Sequence, residues 1–172
     1  MPQINLVSGR NNTYTFGAGT ANEFRFWPYA DGSQLHLLRR ALFIIEHNIY
    51  KKNNACNKYF GTLSPAAASR SFDKVWEDNT IWISYEPRTG LGWDGATDSG
   101  QKEVTLGEDA FTHDGGNRWY VAAVLVHELA HCAGAGGAPS KAASTALKFC
   151  GLANLYDGAV GARVVQSDQR MA

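Results

Sequence analysis

At 172 residues the chain has the length of one domain and enough of it to bury a core without covalent staples. Lys+Arg and Asp+Glu number 16 each and cancel, with no long run of either sign, which argues against nucleic acid or an anionic membrane as the main partner. Three cysteines exclude a disulfide framework. At most one bridge forms within the chain, with Cys132 and Cys150 as the expected pair, and two buried free thiols as the alternative. The opening M-P-Q-I-N-L-V-S-G-R-N-N lacks the apolar core and small-residue cleavage site of a signal peptide. No stretch approaches the roughly 18 apolar residues of a membrane span. Localisation stays open, and export without a cleavable signal is compatible with this pattern.

In chain order, alternation in T-Y-T-F and E-F-R-F-W, within residues 1–33, predicts short strands or an extended arm laid on the core. Apolar residues at 35, 38, 42, 45 and 49 predict a helix over residues 34–52, with Ser33 as its cap. His36 and His47 on this helix lie about 16 Å apart along its axis, too far for one ion, so they read as solvated or core histidines. Asn53, Asn54 and Asn57 read as a loop, and Ser64-Pro65 as the start of a helix running to about Asp78. T-I-W-I-S-Y and K-E-V-T-L-G are strand candidates, separated by a Gly-rich loop over residues 88–100. After Gly115-Gly116, Asn117 caps a helix that Gly134, Gly136 and Gly137 end. A further helix follows Pro139-Ser140, closed by Asp157-Gly158, and residues 158–172 read as a terminal strand or tail. The fold class expected is α+β, with a small sheet edging the central helix.

That helix carries the chemistry. Residues 121–131 read V-A-A-V-L-V-H-E-L-A-H, so His127, Glu128 and His131 form an H-E-x-x-H pattern inside an apolar run. Histidines four apart lie about 40° apart on one helix face, and Glu128 points about 100° aside, so two imidazoles reach one Zn2+ with a base beside it. The helix is apolar nearly all round and is expected to be buried, where two imidazoles and a carboxylate need a cation and water to satisfy them. Two core histidines bonded to backbone are the plain alternative. Cys132 as a ligand is disfavoured, because it points away from the histidine face.

A catalytic zinc takes three protein ligands and keeps a position open. Downstream of His131 only Asp157 and Asp168 carry the chemistry, and upstream His113 and Asp114 sit at the helix's far end, about 20 Å away if the helix is continuous. Asp157 is the first choice; Asp168, His113, or completion by solvent or a partner remain open.

H-E-L-A-H followed by a glycine loop resembles the core of the zincin metallopeptidases. It departs from the metzincin pattern, since Gly137 stands where that branch has its third His. The order of elements is similar to the deuterolysin-like, aspartate-ligated zincins: a long helix, Tyr59-Phe60-Gly61, a helix containing Arg70, and the strand E-V-T-L-G before the motif. The likeness covers roughly residues 35–157. That family's G-T-x-x-D is absent, and G-G-A-P-S-K-A-A-S stands in its place.

The resemblance implies that residues 1–172 form a single zincin-like domain, a zinc metallopeptidase acting on peptide or protein substrates. Both histidines would bind zinc, Glu128 would act as general base, and Tyr156 beside Asp157 would be the candidate oxyanion donor. Thr105-Leu106-Gly107, if it forms a sheet edge, would hold substrate by strand addition. The alternative is a non-catalytic metal-binding or effector-type interaction module that keeps the H-E-x-x-H helix without turnover. The sequence leaves the oligomeric state open.

Overall fold

The computed structural model describes residues 1–15, 23–65, 70–97, 102–136 and 141–153. Among them the architecture is mixed α+β, with six α-helices and a four-stranded sheet. The strands are β1 (Gln3–Ile4), β2 (Asn12–Thr15), β3 (Glu23–Phe26), β4 (Trp82–Glu86), β5 (Gly95–Ala96) and β6 (Glu103–Gly107). The helices are α1 (Ser33–Asn48), α2 (Asn54–Phe60), α3 (Phe72–Glu77), α4 (Glu108–Thr112), α5 (Arg118–Cys132) and α6 (Ala142–Phe149), with a 3-10 turn at His113–Gly115. The sheet order is β1-β4-β6-β5. β1 and β6 flank β4 in parallel, and β5 closes the far side antiparallel to β6. β2 and β3, short strands as their alternation predicts, pair antiparallel, and a bridge from Trp27 to Tyr85 ties the exit of β3 to β4.

Helix α5 is the hub. It touches α1, α3, α4, α6, β5 and β6, and every residue from Tyr120 to Cys132 is buried. A helix without a polar face can satisfy its surface only by such all-round contact, and Val121, Val124, Leu125, Val126 and Leu129 have no solvent exposure at all. Each such side chain contributes about 1.5–3 kcal/mol on burial. Asn117 caps the helix as expected, its side chain accepting from the Trp119 N–H at 2.9 Å. Among the described residues no helix is long and apolar enough to cross a membrane.

Several local readings are corrected. Asn53 begins a helix instead of a loop: its side chain accepts from the Cys56 N–H at 3.0 Å, and Cys56 and Phe60 turn into the core. Ser71, not Ser64, caps α3, accepting from Lys74 N–H. Ser33 is the first residue of α1, preceded by Gly32, and makes no capping bond. α6 ends at Phe149, where Cys150 and Gly151 turn the chain, Gly151 with φ +77°. β6 is not a sheet edge, because β5 lies outside it and pairs Gly95 with Leu106 and Ala96 with Thr105.

The cysteine pairing is also corrected. Cys150 bonds to Cys56 across 94 residues, and Cys132 is a buried free thiol. The cause is the packing of α2 on α6, which a linear reading of nearby helices does not show. Tyr59 stacks on Phe149 at 4.5 Å, the Tyr59 hydroxyl donates to the Ala142 carbonyl at 3.0 Å, and the Asn53 amide donates to the Phe149 carbonyl at 3.1 Å. These contacts bring the start of α2 and the end of α6 together.

Candidate metal centre

His127, Glu128 and His131 lie on the last two turns of α5 and have no solvent exposure. The Nε2 atoms of the two imidazoles are 3.2 Å apart, and the rings meet edge to face. The His131 Nδ1 lies 3.0 Å from the Ala135 carbonyl, which can only accept, so Nδ1 carries a proton and the neutral ring keeps its lone pair on Nε2. That is the form a metal ligand requires, with the second nitrogen held by backbone.

The glycine exit produces this bond. Gly134 adopts φ +104°, and a Cβ there would lie 2.8 Å from the Ser64 Cβ. The turn it makes brings the Ala135 N–H back to the Ala130 carbonyl at 3.0 Å and aims the Ala135 carbonyl at His131. Only glycine satisfies both the backbone angle and the contact.

Glu128 is roofed by β5. A Cβ on Gly95 would lie 2.7 Å from Glu128 Oε1 and 2.9 Å from Val124 Cγ1, so the strand passes at a distance only glycine allows. The neighbouring Asp94, 1% exposed, accepts from the Tyr120 hydroxyl at 2.7 Å. Tyr120 lies two turns before Glu128 on the same stripe of α5, so this bond fastens the roof strand to the helix beneath it. Sequence reading missed Gly95, Asp94 and Tyr120. The signal was there in part, since Tyr120, Val124 and Glu128 repeat at four-residue spacing, and W-D-G interrupts the Gly-rich loop.

Of the other candidates, Tyr156, Asp157 and Asp168 lie outside the described residues. His113 packs at 3.9 Å between centroids on Tyr120, with the rings tilted by 35°, and pairs with Asp114; Tyr120 itself lies two helical turns, about 10 Å, before His127. It is not brought to the H-E-x-x-H histidines. The Cys132 thiol is pushed up from its ordinary range by burial and then by the nearby Glu128 charge. Among the described residues no three His, Cys, Asp or Glu side chains are grouped to hold a metal ion.

The pair of histidines nevertheless passes a fit test. A tetrahedral zinc with bonds of about 2.0–2.1 Å sets two imidazole nitrogens about 3.3–3.4 Å apart. The observed 3.2 Å is close to that chord. The arrangement can therefore supply two neutral nitrogen donors and a carboxylate one residue away. No family model matches the chain, and neither any curated protein nor any solved structure matches it.

Proposed function

We propose that the chain is a zinc-dependent metallopeptidase of zincin-like fold that hydrolyses peptide bonds in peptide or protein substrates. The observation that carries this reading is the pair of imidazole nitrogens 3.2 Å apart, with the His131 tautomer set by Ala135 and Glu128 next to His127. The resemblance of H-E-L-A-H and its glycine loop to the zincins supports it, as does the mixed α+β frame around a buried motif helix. His127 and His131 would hold the zinc, and Asp157 is proposed as the third ligand. The zinc, when bound, supplies Lewis acidity that polarises the scissile carbonyl and acidifies water.

The protein's own part follows from its groups. Glu128, walled by Gly95 and Val124 and shielded from solvent, is placed to take a proton from the attacking water and to return it to the leaving amine. Tyr156 is proposed to donate to the oxyanion. Because the three motif residues are closed to solvent, turnover requires their cover to open for substrate.

Elemental analysis should find about one zinc per chain, and casein or peptide cleavage should stop with chelator and fall about 10²–10⁴-fold in Glu128→Gln. Cleavage by Glu128→Gln at the wild-type rate would remove the proposal. One observation favours a second reading, a non-catalytic metal-binding or effector-type module: the stretch after His131 carries no carboxylate through Ser144. Weak, substoichiometric zinc with no proteolysis of any substrate would select it.

A further inference from the structure

A surface on the other side of α5 joins cations to exposed aromatic area. Arg10, Arg70 and Arg88 hold Glu103, Asp78 and Glu86 respectively. Arg39, Arg40 and Arg118 hold no carboxylate among the described residues, and all three lie on the face formed by α1 and the start of α5. Between them stands Phe43, 61% exposed, the most exposed large hydrophobic side chain among the described residues. Its ring stacks on His47 at 3.8 Å, which gives a fixed platform.

Beside the platform a cleft of about 450 Å³ is lined by Arg40, Phe43, Ile44, Asn48, Arg118 and Trp119. A second cleft of about 360 Å³ lies beyond Phe43, with Arg39 on its wall. Glu46 on the same wall accepts from the Trp76 indole N–H and forms no ion pair with an arginine among the described residues. Arg118 precedes His127 by nine residues, about 13–14 Å along the helix and half a turn around it, so this face is separate from the candidate metal centre.

We propose that this face docks an acidic protein segment that inserts a large apolar side chain into the Phe43–Trp119 cleft. Charge complementarity selects the sign: three guanidinium groups that hold no carboxylate among the described residues are matched by carboxylates, which they bind bidentately. The apolar walls select a protein over a nucleic acid, whose backbone is held by a broad basic track and not by a concave hydrophobic slot. A flat anionic membrane likewise fails to fill a cleft. Arginine with tryptophan and phenylalanine around a pocket is the composition of an interface anchor.

The test is selection of random twelve-residue displayed peptides on the full chain, followed by affinity measurement of the enriched peptides. Peptides with Asp or Glu flanking Trp, Phe or Leu are expected. Their affinity should fall at least tenfold in Arg40→Glu with Arg118→Glu, and in Phe43→Ser, with amide shifts confined to residues 40–48 and 118–119. These positions are exposed or half-buried, and unchanged thermal unfolding of the variants confirms that the fold is intact. Binding should be the same in a Glu128→Gln background, which separates this result from the peptidase reading. No enrichment, enriched peptides without acids, or shifts elsewhere would overturn the proposal. So would binding of random duplex DNA or phosphatidylserine vesicles, or self-association, that the same charge swaps abolish in place of peptide binding.

Discussion

Helices α1 and α5 are of similar length, pack against each other and each carry two histidines, yet the residues do opposite things. α1 is amphipathic: Leu35, Leu38, Leu42 and Ile45 face inward, while His36 and His47 remain in solvent. α5 has no polar face, and His127 and His131 are buried four residues apart with their Nε2 atoms in contact. A solvated imidazole is satisfied by water wherever it falls, so its position carries little information. A buried one must be satisfied by a specific neighbour, and the spacing that lets two of them share one cation becomes meaningful.

The strongest way to break this contrast is to exchange the outcomes. His127→Ala should take zinc content from about one per chain to near zero, whereas His36→Ala with His47→Ala should leave it unchanged. Equal loss from both pairs, read by elemental analysis on refolded protein, would mean that burial and spacing do not distinguish them.

α6 covers α5 on another side, and the disulfide from Cys56 to Cys150 fixes α6 to α2. Cys150→Ser should lower the unfolding free energy by about 2–5 kcal/mol, because the bridge closes a long loop in the unfolded chain. Denaturant unfolding with and without reductant measures it, and reductant should lower wild type to the level of the variant. The same treatment of Cys132→Ser should show the wild-type dependence on reductant, since that thiol is free and the bridge stays intact.

These elements also mark what was legible in the sequence. α1, α5 and its Asn117 cap, β2, β3, β4 and β6 follow from periodicity and cap residues, which act over a few positions. α2 escaped because three asparagines read as loop, although Asn53 uses its side chain as a cap and Cys56 and Phe60 keep helical spacing toward the core. β1 and β5 have two residues each, too short to show alternation, and exist because neighbouring strands complete them. The disulfide partner and the Asp94–Tyr120 bond join residues distant in the chain, so no local pattern encodes them. At the candidate metal centre the H-E-x-x-H residues were plain, but the roof over Glu128 was not. A glycine there is required by what lies opposite it in space.

That roof gives a smaller and more local test of the contrast between the helices. Gly95→Ala would set a methyl 2.7 Å from Glu128 Oε1, so the strand or the carboxylate must move. A loss of about 1–3 kcal/mol in stability is expected, from overpacking in a site with no slack. The proposed peptidase activity should fall further than the stability loss alone explains, because Glu128, its proposed base, is displaced. On α1 the exposed Arg39→Ala should stay within about 0.5 kcal/mol of wild type. Crystallography of Gly95→Ala with Glu128 unmoved would show that the close approach has no bearing on the base.

The smallest effect separates a solvent-shielded carboxylate from one that is merely well paired. α3 also packs on α5, and the Asp78 that ends it is partly buried, which by itself would raise its pKa. Hydrogen bonds from the Thr80 hydroxyl and N–H, and the ion pairs to Arg70 at 2.6 Å and Lys102 at 3.3 Å, outweigh burial and hold the carboxyl well below the usual carboxylate range. A folded-state pKa below the unfolded one means stability that is fully present above the unfolded value of about 3.9 and is lost as pH falls through the folded value. Asp78→Asn should therefore be less stable than wild type by about 1 kcal/mol at pH 6, a partly exposed pair being screened by water. The difference should shrink steadily below about pH 4, as wild type takes up the proton that the amide already mimics. Urea unfolding of both proteins across that range measures it, and a gap that stays constant to pH 2 would show that packing, not charge, is what Asp78 contributes to the end of α3.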